Sequence, residues 1–192
     1  MKLKFELLIF GSTVNGLLLH GSSDLDLSLI IPYDSSSLLP PSQHKSVLSR
    51  IHSLLSRASQ TFATPSLRPD SFGYLLSTRH LSTGTDIEIL LNKVLEVYNS
   101  HLIRDYSLLD SRFHKLALIV KYWNKGVAPG DKSGRLNSYS VTLMLIAYMI
   151  HMGALPKMHG GGKDIRYFKY KKDKKNQNYE AHEYSTKVGY RF

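Results

Sequence analysis

Two aspartates two positions apart, Asp24 and Asp26, carry the densest chemical information in the chain. They alternate with Leu25, Leu27 and Leu29 in the two-residue period of a half-buried strand, so both carboxylates leave the strand from one face. Such a pair can hold a divalent cation, because hard cations take oxygen donors. Upstream, Gly11-Ser12 follows the short apolar run Leu7 to Phe10, and Ser12 has the character of an N-cap for a brief helical pattern at Val14, Leu17 and Leu18. Phe10 to Ile30 is therefore predicted to fold as strand, tight turn, short helix and strand. Unpaired N–H groups at the helix start would face a phosphate, and the carboxylates would hold its metal. No Gly-Lys-Ser or Gly-Lys-Thr follows Gly11, so the turn is not a P-loop. An Asp-x-Asp pair alone is more often a solvated strand face, and a Gly-Ser alone only a turn; their combination at this separation points to a nucleotide.

A third acid stands in the same relation to its strand. Thr85 to Leu91 alternates Ile87, Ile89 and Leu91 with Asp86 and Glu88, so Asp86 is presented as Asp24 and Asp26 are. If the two strands are neighbours, three carboxylates converge, as required to flank a phosphoryl group with two Mg²⁺ ions. Glu88 is read as an ordinary exposed strand acid and left out of the site.

The elements that must position these residues follow from periodicity. Pro32 to Ser42 is a Ser- and Pro-rich loop, and Ser42 is expected to cap a helix whose buried face is Val47, Leu48, Ile51, Leu54, Leu55 and Ala58. Phe72 to Leu81 reads as a strand and Val94 to Leu109 as a helix. Asp110 caps the next helix, with Phe113, Leu116, Ala117, Ile119, Val120 and Trp123 as its buried face and Lys121 and Lys125 on one side of it. Gly126 to Gly134 is a loop, and Ser138 opens a last helix through Ile150. Strands give way to helices near Lys93. The division expected is 1–92, 93–158 and a basic tail at 159–192 with little periodicity and the character of disorder.

Composition bounds the partners. The 192 residues carry 25 Lys and Arg against 15 Asp and Glu, a net +10 that suggests a polyanion such as RNA. The excess is uneven: Lys157 to Phe192 carries +6 of it. With no cysteine there is neither a disulfide framework nor a thiolate zinc site, and the nine histidines are scattered without metal-ligand spacing. A reducing compartment fits, and a cytoplasmic or nuclear location is expected. Val141 to Ile150 is the longest apolar run, about half of the ~20 residues a membrane span needs, so no membrane role is expected.

From Phe10 to about Met158 the sequence resembles the DNA polymerase β-like nucleotidyltransferase superfamily, in the branch of non-canonical poly(A) polymerases and terminal uridylyltransferases. The residues that carry the likeness are FGSTVNGLLLHGSSDLDLSLI, then VYNSHLIRDYSLLDSRFHKLALIVKYWNK and GRLNSYSVTLMLIAYMI. The resemblance implies an α+β fold: a nucleotidyltransferase palm of mixed sheet and helices, residues 1–92, followed by part of an all-helical central domain, residues 93–158. It implies Asp24, Asp26 and Asp86 as catalytic metal ligands for two Mg²⁺ (or Mn²⁺) ions. Gly11 and Ser12 would hold the β- or γ-phosphate, Asn99 the ribose, Lys121, Lys125 and Ser138 phosphate oxygens, and Tyr139 would stack on the base. The bland reading of each alone is a solvated helix face, an N-cap or a core aromatic. The order in which they follow the three acids favours the functional one.

The implied activity is template-independent transfer of UMP from UTP to an RNA 3′ end with release of pyrophosphate. The alternative is a poly(A) polymerase adding AMP from ATP, and a further alternative is an inactive, truncated RNA-binding module. Family members have a helix before the Gly-Ser strand and more of the helical domain, including a base-selecting histidine. Tyr139 alone does not choose between UTP and ATP.

Overall fold

The alternation that puts Asp24 and Asp26 on one side of a strand puts Leu25, Leu27 and Leu29 on the other, and each side finds a cover. The computed structural model describes residues 5–19, 24–33, 37–70, 73–127 and 136–158, with the backbone of 165–172 and 179–186. Residues 20–23 inside the opening run, and most of the loop at 126–134, lie outside the described residues. In chain order the elements are β1 (Glu6–Phe10), α1 (Ser12–Asn15), β2 (Leu25–Ile30), α2 (Pro41–Arg57), β3 (Ser66–Asp70), β4 (Gly73–His80), β5 (Thr85–Leu91), α3 (Val94–Leu109), α4 (Ser111–Val127) and α5 (Ser138–His151). They build the α+β fold that the sequence predicts. One five-stranded sheet has the order β1-β2-β5-β4-β3. The acid-bearing strands β2 and β5 are parallel neighbours, while the other pairings are antiparallel.

Adjacent apolar residues point to opposite faces and divide the core in two. Leu76 and Leu91 pack with Ile31 and with Leu48 of α2 on one face. Leu75 and Leu90 pack with Phe10 and with Val97 of α3 on the other, the side from which the acids project. A third cluster joins α3, α4 and α5 through Ile103, Tyr106, Phe113, Ala117, Ile146 and Met149, and takes in Leu17 from the segment after α1. Leu76 is fully buried. Leu76→Ala is expected to lower the unfolding free energy by about 2–5 kcal/mol, the range for a truncated core leucine. Chemical denaturation should show it as a lower midpoint with an unchanged slope.

The junction between sheet and helices is tied at three points. Asn92, directly after β5, lies in the left-handed region at φ 55°. Its side chain accepts the Ile31 N–H at 2.8 Å and donates to the Leu39 carbonyl at 2.9 Å. The Lys93 N–H donates to the buried Ser28 hydroxyl at 2.9 Å.

Several expectations are corrected. The residue before α1 is Gly11, and Ser12 is its first helical residue. Helix α2 starts at Pro41, where a missing N–H costs nothing, and not after a Ser42 cap. Strand β3 has no sequence signal, since Pro69 argues against a strand anywhere but at an edge, and the edge is where it lies. Asp110 does cap α4, its carboxylate accepting the Arg112 N–H at 2.8 Å, whereas α5 is capped by Asn137 through the Ser140 N–H at 2.7 Å. On α4 only Phe113 and Ala117 of the expected face are buried; Leu116, Ile119 and Trp123 are exposed. The helix carries two apolar stripes, and the one that continues through Lys121 and Asn124 is covered. Leu54 is likewise exposed on α2. In the basic tail, β6 (Ile165–Lys172) and β7 (Tyr179–Thr186) pair antiparallel, from Ile165↔Thr186 to Lys172↔Tyr179. No helix among the described residues is long and apolar enough to cross a membrane.

Candidate active site

The turn and Asp26 are built against each other. Gly11 has φ 72° and ψ −150°, and a β-carbon there would collide with the Asp26 carboxylate. Both conditions select glycine. The β1–β2 register sets Phe10 opposite Asp26, which brings that carboxylate beside the turn. The Gly11 N–H donates to Ser100 Oγ at 2.8 Å, and Ser100 Oγ donates to the Glu96 carbonyl at 2.7 Å, so α3 holds the turn from behind. The N–H groups of Val14 and Asn15 donate to the Gly11 carbonyl at 3.2 Å each. Helix α1 is four residues long and sums almost no macrodipole. What it offers an anion is the first-turn N–H groups and the half-buried Ser12 hydroxyl.

The parallel register Asp26↔Glu88, together with two-residue alternation, puts Asp24, Asp26, Asp86 and Glu88 on one face of the sheet. Burial, then the charges of Glu88 and Asp24, push the Asp26 carboxyl up to about 6, against a smaller downward pull from Lys121. Asp24, Asp86 and Glu88 line an open cavity of about 370 Å³ together with Thr64, Ser66, Ser77 and Arg79. Asp86 faces its antiparallel partner on β4: Arg79 Nε donates to Oδ1 at 2.6 Å and Nη2 to Oδ2 at 2.7 Å. That bidentate hydrogen bond holds the Asp86 carboxyl below the usual carboxylate range. Arg68 of β3 approaches Glu88 at 3.5 Å. Neither Asp24 nor Asp26 forms an ion pair with another described residue.

The helices bring cations to the same place. Lys121 is 8% exposed, and its Nζ donates to the Leu17 carbonyl at 2.7 Å. Burial, then the neighbouring Lys125, lower its pKa, while Asp26 raises it, so Lys121, Lys125 and Asp26 form one electrostatic group. Tyr139, at the first turn of α5, has its hydroxyl pKa raised by burial and by the charge of Glu96 on α3. Ser138 begins α5, and Asn99 precedes Ser100 on α3; both are half-buried.

The donor set suits a hard divalent cation: oxygen only, on one face, with like charges crowded enough to raise Asp26. Asp24 and Asp26 would hold such an ion. Asp86 shares their face but has both oxygens engaged by Arg79, and no group of three potential ligands is arranged as a metal site among the described residues.

The sequence left three participants unnamed. Glu88 is read as a solvated acid, yet the register makes it Asp26's neighbour. Ser100 and Arg79 are single polar residues whose partners lie 89 and 7 positions away. Only the alternation on the strand before Asp86, which sets Arg79 on β4, could have pointed to one of them.

A mixed five-stranded sheet with paired aspartates on one of two parallel neighbours, a third on the other and a glycine turn against them is the palm of a polymerase β-like nucleotidyltransferase. The family described as "Poly(A) RNA polymerase, mitochondrial-like, central palm domain" matches residues 1–108, more than half of the chain, and the chain belongs to it. Poly(A) RNA polymerase GLD2-B of Xenopus laevis is 29% identical over 148 residues, which cover 75% of this chain and 28% of that protein. The poly(A) polymerase complex GLD-2–GLD-3 superposes with a TM-score of 0.65 at 27% identity, over 79% of this chain and 49% of that one. Terminal uridylyl transferase 4 from Trypanosoma brucei, with bound UPU, has a TM-score of 0.66 at 20% identity with the same coverage, and shares the fold. The chain thus spans little more than a quarter of the curated relative and about half of the solved ones.

Proposed function

We propose that the chain is the palm and adjoining helices of a template-independent RNA 3′-terminal nucleotidyltransferase. The observation that carries this reading is the placement of Asp24, Asp26 and Asp86 on one face of the sheet, with Asp26 against the Gly11 turn, in a chain of the poly(A) RNA polymerase palm family. The RNA 3′-hydroxyl oxygen forms a bond to the α-phosphorus of a nucleoside triphosphate, the bond to the β-phosphate breaks, and pyrophosphate leaves. Two Mg²⁺ or Mn²⁺ ions, when bound, neutralise the triphosphate and lower the pKa of the attacking hydroxyl.

The chain's own residues bind and orient. Asp24 and Asp26, with Asp86 on the same face, would hold the divalent ions, and Asp86 would pass the hydroxyl proton to solvent. Gly11 and Ser12 take the β- or γ-phosphate. Lys121 has two protons beyond the one it gives Leu17, and with Lys125 and Ser138 it meets phosphate oxygens. Asn99 orients the ribose, and Tyr139 stacks on the base. UTP is the donor put first on the sequence; ATP is the second reading, supported by the poly(A) polymerase names among the relatives.

The test is extension of a short RNA primer with each of the four triphosphates in turn. Extension with UTP or ATP identifies the donor, and Asp24→Asn and Asp86→Ala are each expected to abolish it. Equal extension by Asp86→Ala sinks the metal assignment. Salt-sensitive RNA binding with no extension under any triphosphate gives instead an RNA-binding module.

A further inference from the structure

The acids have a side that the phosphate-binding residues do not occupy. Cross-strand partners share a face of the sheet, and the registers draw one row across it: Phe10, Asp26, Glu88, Ser77 and Ser66, on β1, β2, β5, β4 and β3 in turn. The Gly11 turn, which follows Phe10, lies at one end of that row and the serines at the other, with the carboxylates between. The open cavity of about 370 Å³ lies on the serine side, where Thr64, Ser66, Ser77 and Arg79 line it together with Asp24, Asp86 and Glu88. Arg79 Nε donates to Asp86 at 2.6 Å, and Arg68 reaches Glu88 at 3.5 Å from the edge strand β3. The acids lie deeper than the arginines: the Glu88 and Asp86 side chains are 29% and 46% exposed, those of Arg68 and Arg79 58% and 55%. Each guanidinium carries five N–H groups, so both arginines keep donors beyond these contacts.

We propose that this cavity is the acceptor groove: it seats the last nucleoside of an unpaired RNA with the 3′-hydroxyl toward the carboxylates and the preceding phosphate on Arg68 and Arg79. This rests on the reading of the acids as the centre of nucleotidyl transfer. In phosphoryl transfer the attacking and leaving oxygens are roughly in line. With pyrophosphate on the Gly11 side, the attacking hydroxyl comes from the other, where the cavity opens. The lining fits the ligand part by part. Thr64, Ser66 and Ser77 offer hydroxyls that both donate and accept, which suits ribose hydroxyls. The arginine fork suits a phosphate. The deeper carboxylates repel an RNA end that carries a phosphate of its own, so the groove selects a free 3′-hydroxyl at the binding step.

The experiment measures, by fluorescence anisotropy in EDTA, binding of a short RNA labelled at its 5′ end and ending in either a 3′-hydroxyl or a 3′-phosphate. Without metal the carboxylates alone meet the RNA end. The whole chain is expected to bind the 3′-hydroxyl RNA at least about 5-fold more tightly, the scale of one like-charge contact at short range in water. Ser66→Trp fills the groove from an exposed position on β3 and should erase that preference. Arg68→Gln should weaken binding and lower the logarithmic salt slope by about 0.7, one phosphate contact on a single strand. Arg57→Gln, on α2 across the sheet, should keep the preference. A wild type without the preference overturns the proposal, as does a preference that survives in folded Ser66→Trp; if that variant does not fold, an unchanged salt slope in Arg68→Gln overturns it. Primer extension separates the two readings. Extension whose KM for RNA is unmoved by Ser66→Trp and Arg68→Gln overturns the groove alone. A groove-dependent preference without extension under any triphosphate overturns the transferase reading and leaves the groove standing.

Discussion

Asp26→Asn is expected to abolish nucleotidyl transfer and at the same time to make the fold more stable at neutral pH. The first half follows from the carboxylate's place beside the turn, where it would carry metal. The loss should be at least on the order of 10²-fold in primer extension, the scale of removing one electrostatic stabiliser of a transition state. The second half follows from its titration. Folding raises the Asp26 carboxyl from 3.8 to about 6, through burial first and then the charges of Glu88 and Asp24. An acid that is harder to ionise in the folded state binds more protons folded than unfolded between those two values. Stability therefore falls as pH rises through the window from about 4 to 6 and stays lower above it. Two pKa units correspond to about 2–3 kcal/mol. Asparagine cannot ionise, so it removes most of that penalty. Denaturant midpoints from pH 4 to 7.5 should decline in the wild type through this window and decline less in Asp26→Asn. A variant that is less stable than wild type at pH 7.5 contradicts the account. Carboxylates crowded for binding rather than for folding leave this signature at functional sites.

Gly11→Ala should lose transfer to a similar degree with the opposite effect on stability. Its φ of 72° costs a non-glycine residue about 1–2 kcal/mol, and the added methyl group would meet the Asp26 carboxylate. Either the turn or Asp26 must move, and both belong to the site. The two contributions separate in a double-variant cycle. In an Asp26→Ala background, Gly11→Ala should cost only the backbone part, so the coupling between the substitutions is expected to favour the double variant. Strict additivity would mean that the methyl group finds room and that the close approach is not what selects glycine.

Much of this site was legible because its main parts are local. Alternation over a few residues puts Asp24, Asp26 and Asp86 on strand faces, and β5 and α3 have the boundaries that periodicity gives them. What stayed hidden are contacts between distant positions. Ser100 reaches Gly11 across 89 residues, and Lys121 reaches Leu17 across 104. No sequence period relates such pairs. The exposed stripe on α4 escaped for a related reason: apolar residues at helical spacing identify a face, but which of two faces is covered depends on where α3 and α5 lie. Glu88 was set aside on the usual exposure of strand acids, a rule that carries no information about the strand alongside.

Leu17 decides how separable the palm is. It belongs in sequence to the segment before β2, yet it is 1% exposed inside the cluster of α3, α4 and α5, and its carbonyl receives the Lys121 ammonium. A chain cut between Asn92 and Lys93 would expose Leu17 and strip the Gly11 turn of the serine that caps it. The sheet and the helices are therefore not two modules joined at a seam. The Gly11 turn becomes a finished surface only once the helices are packed onto it, so any ligand of that surface depends on the helices as much as on the sheet.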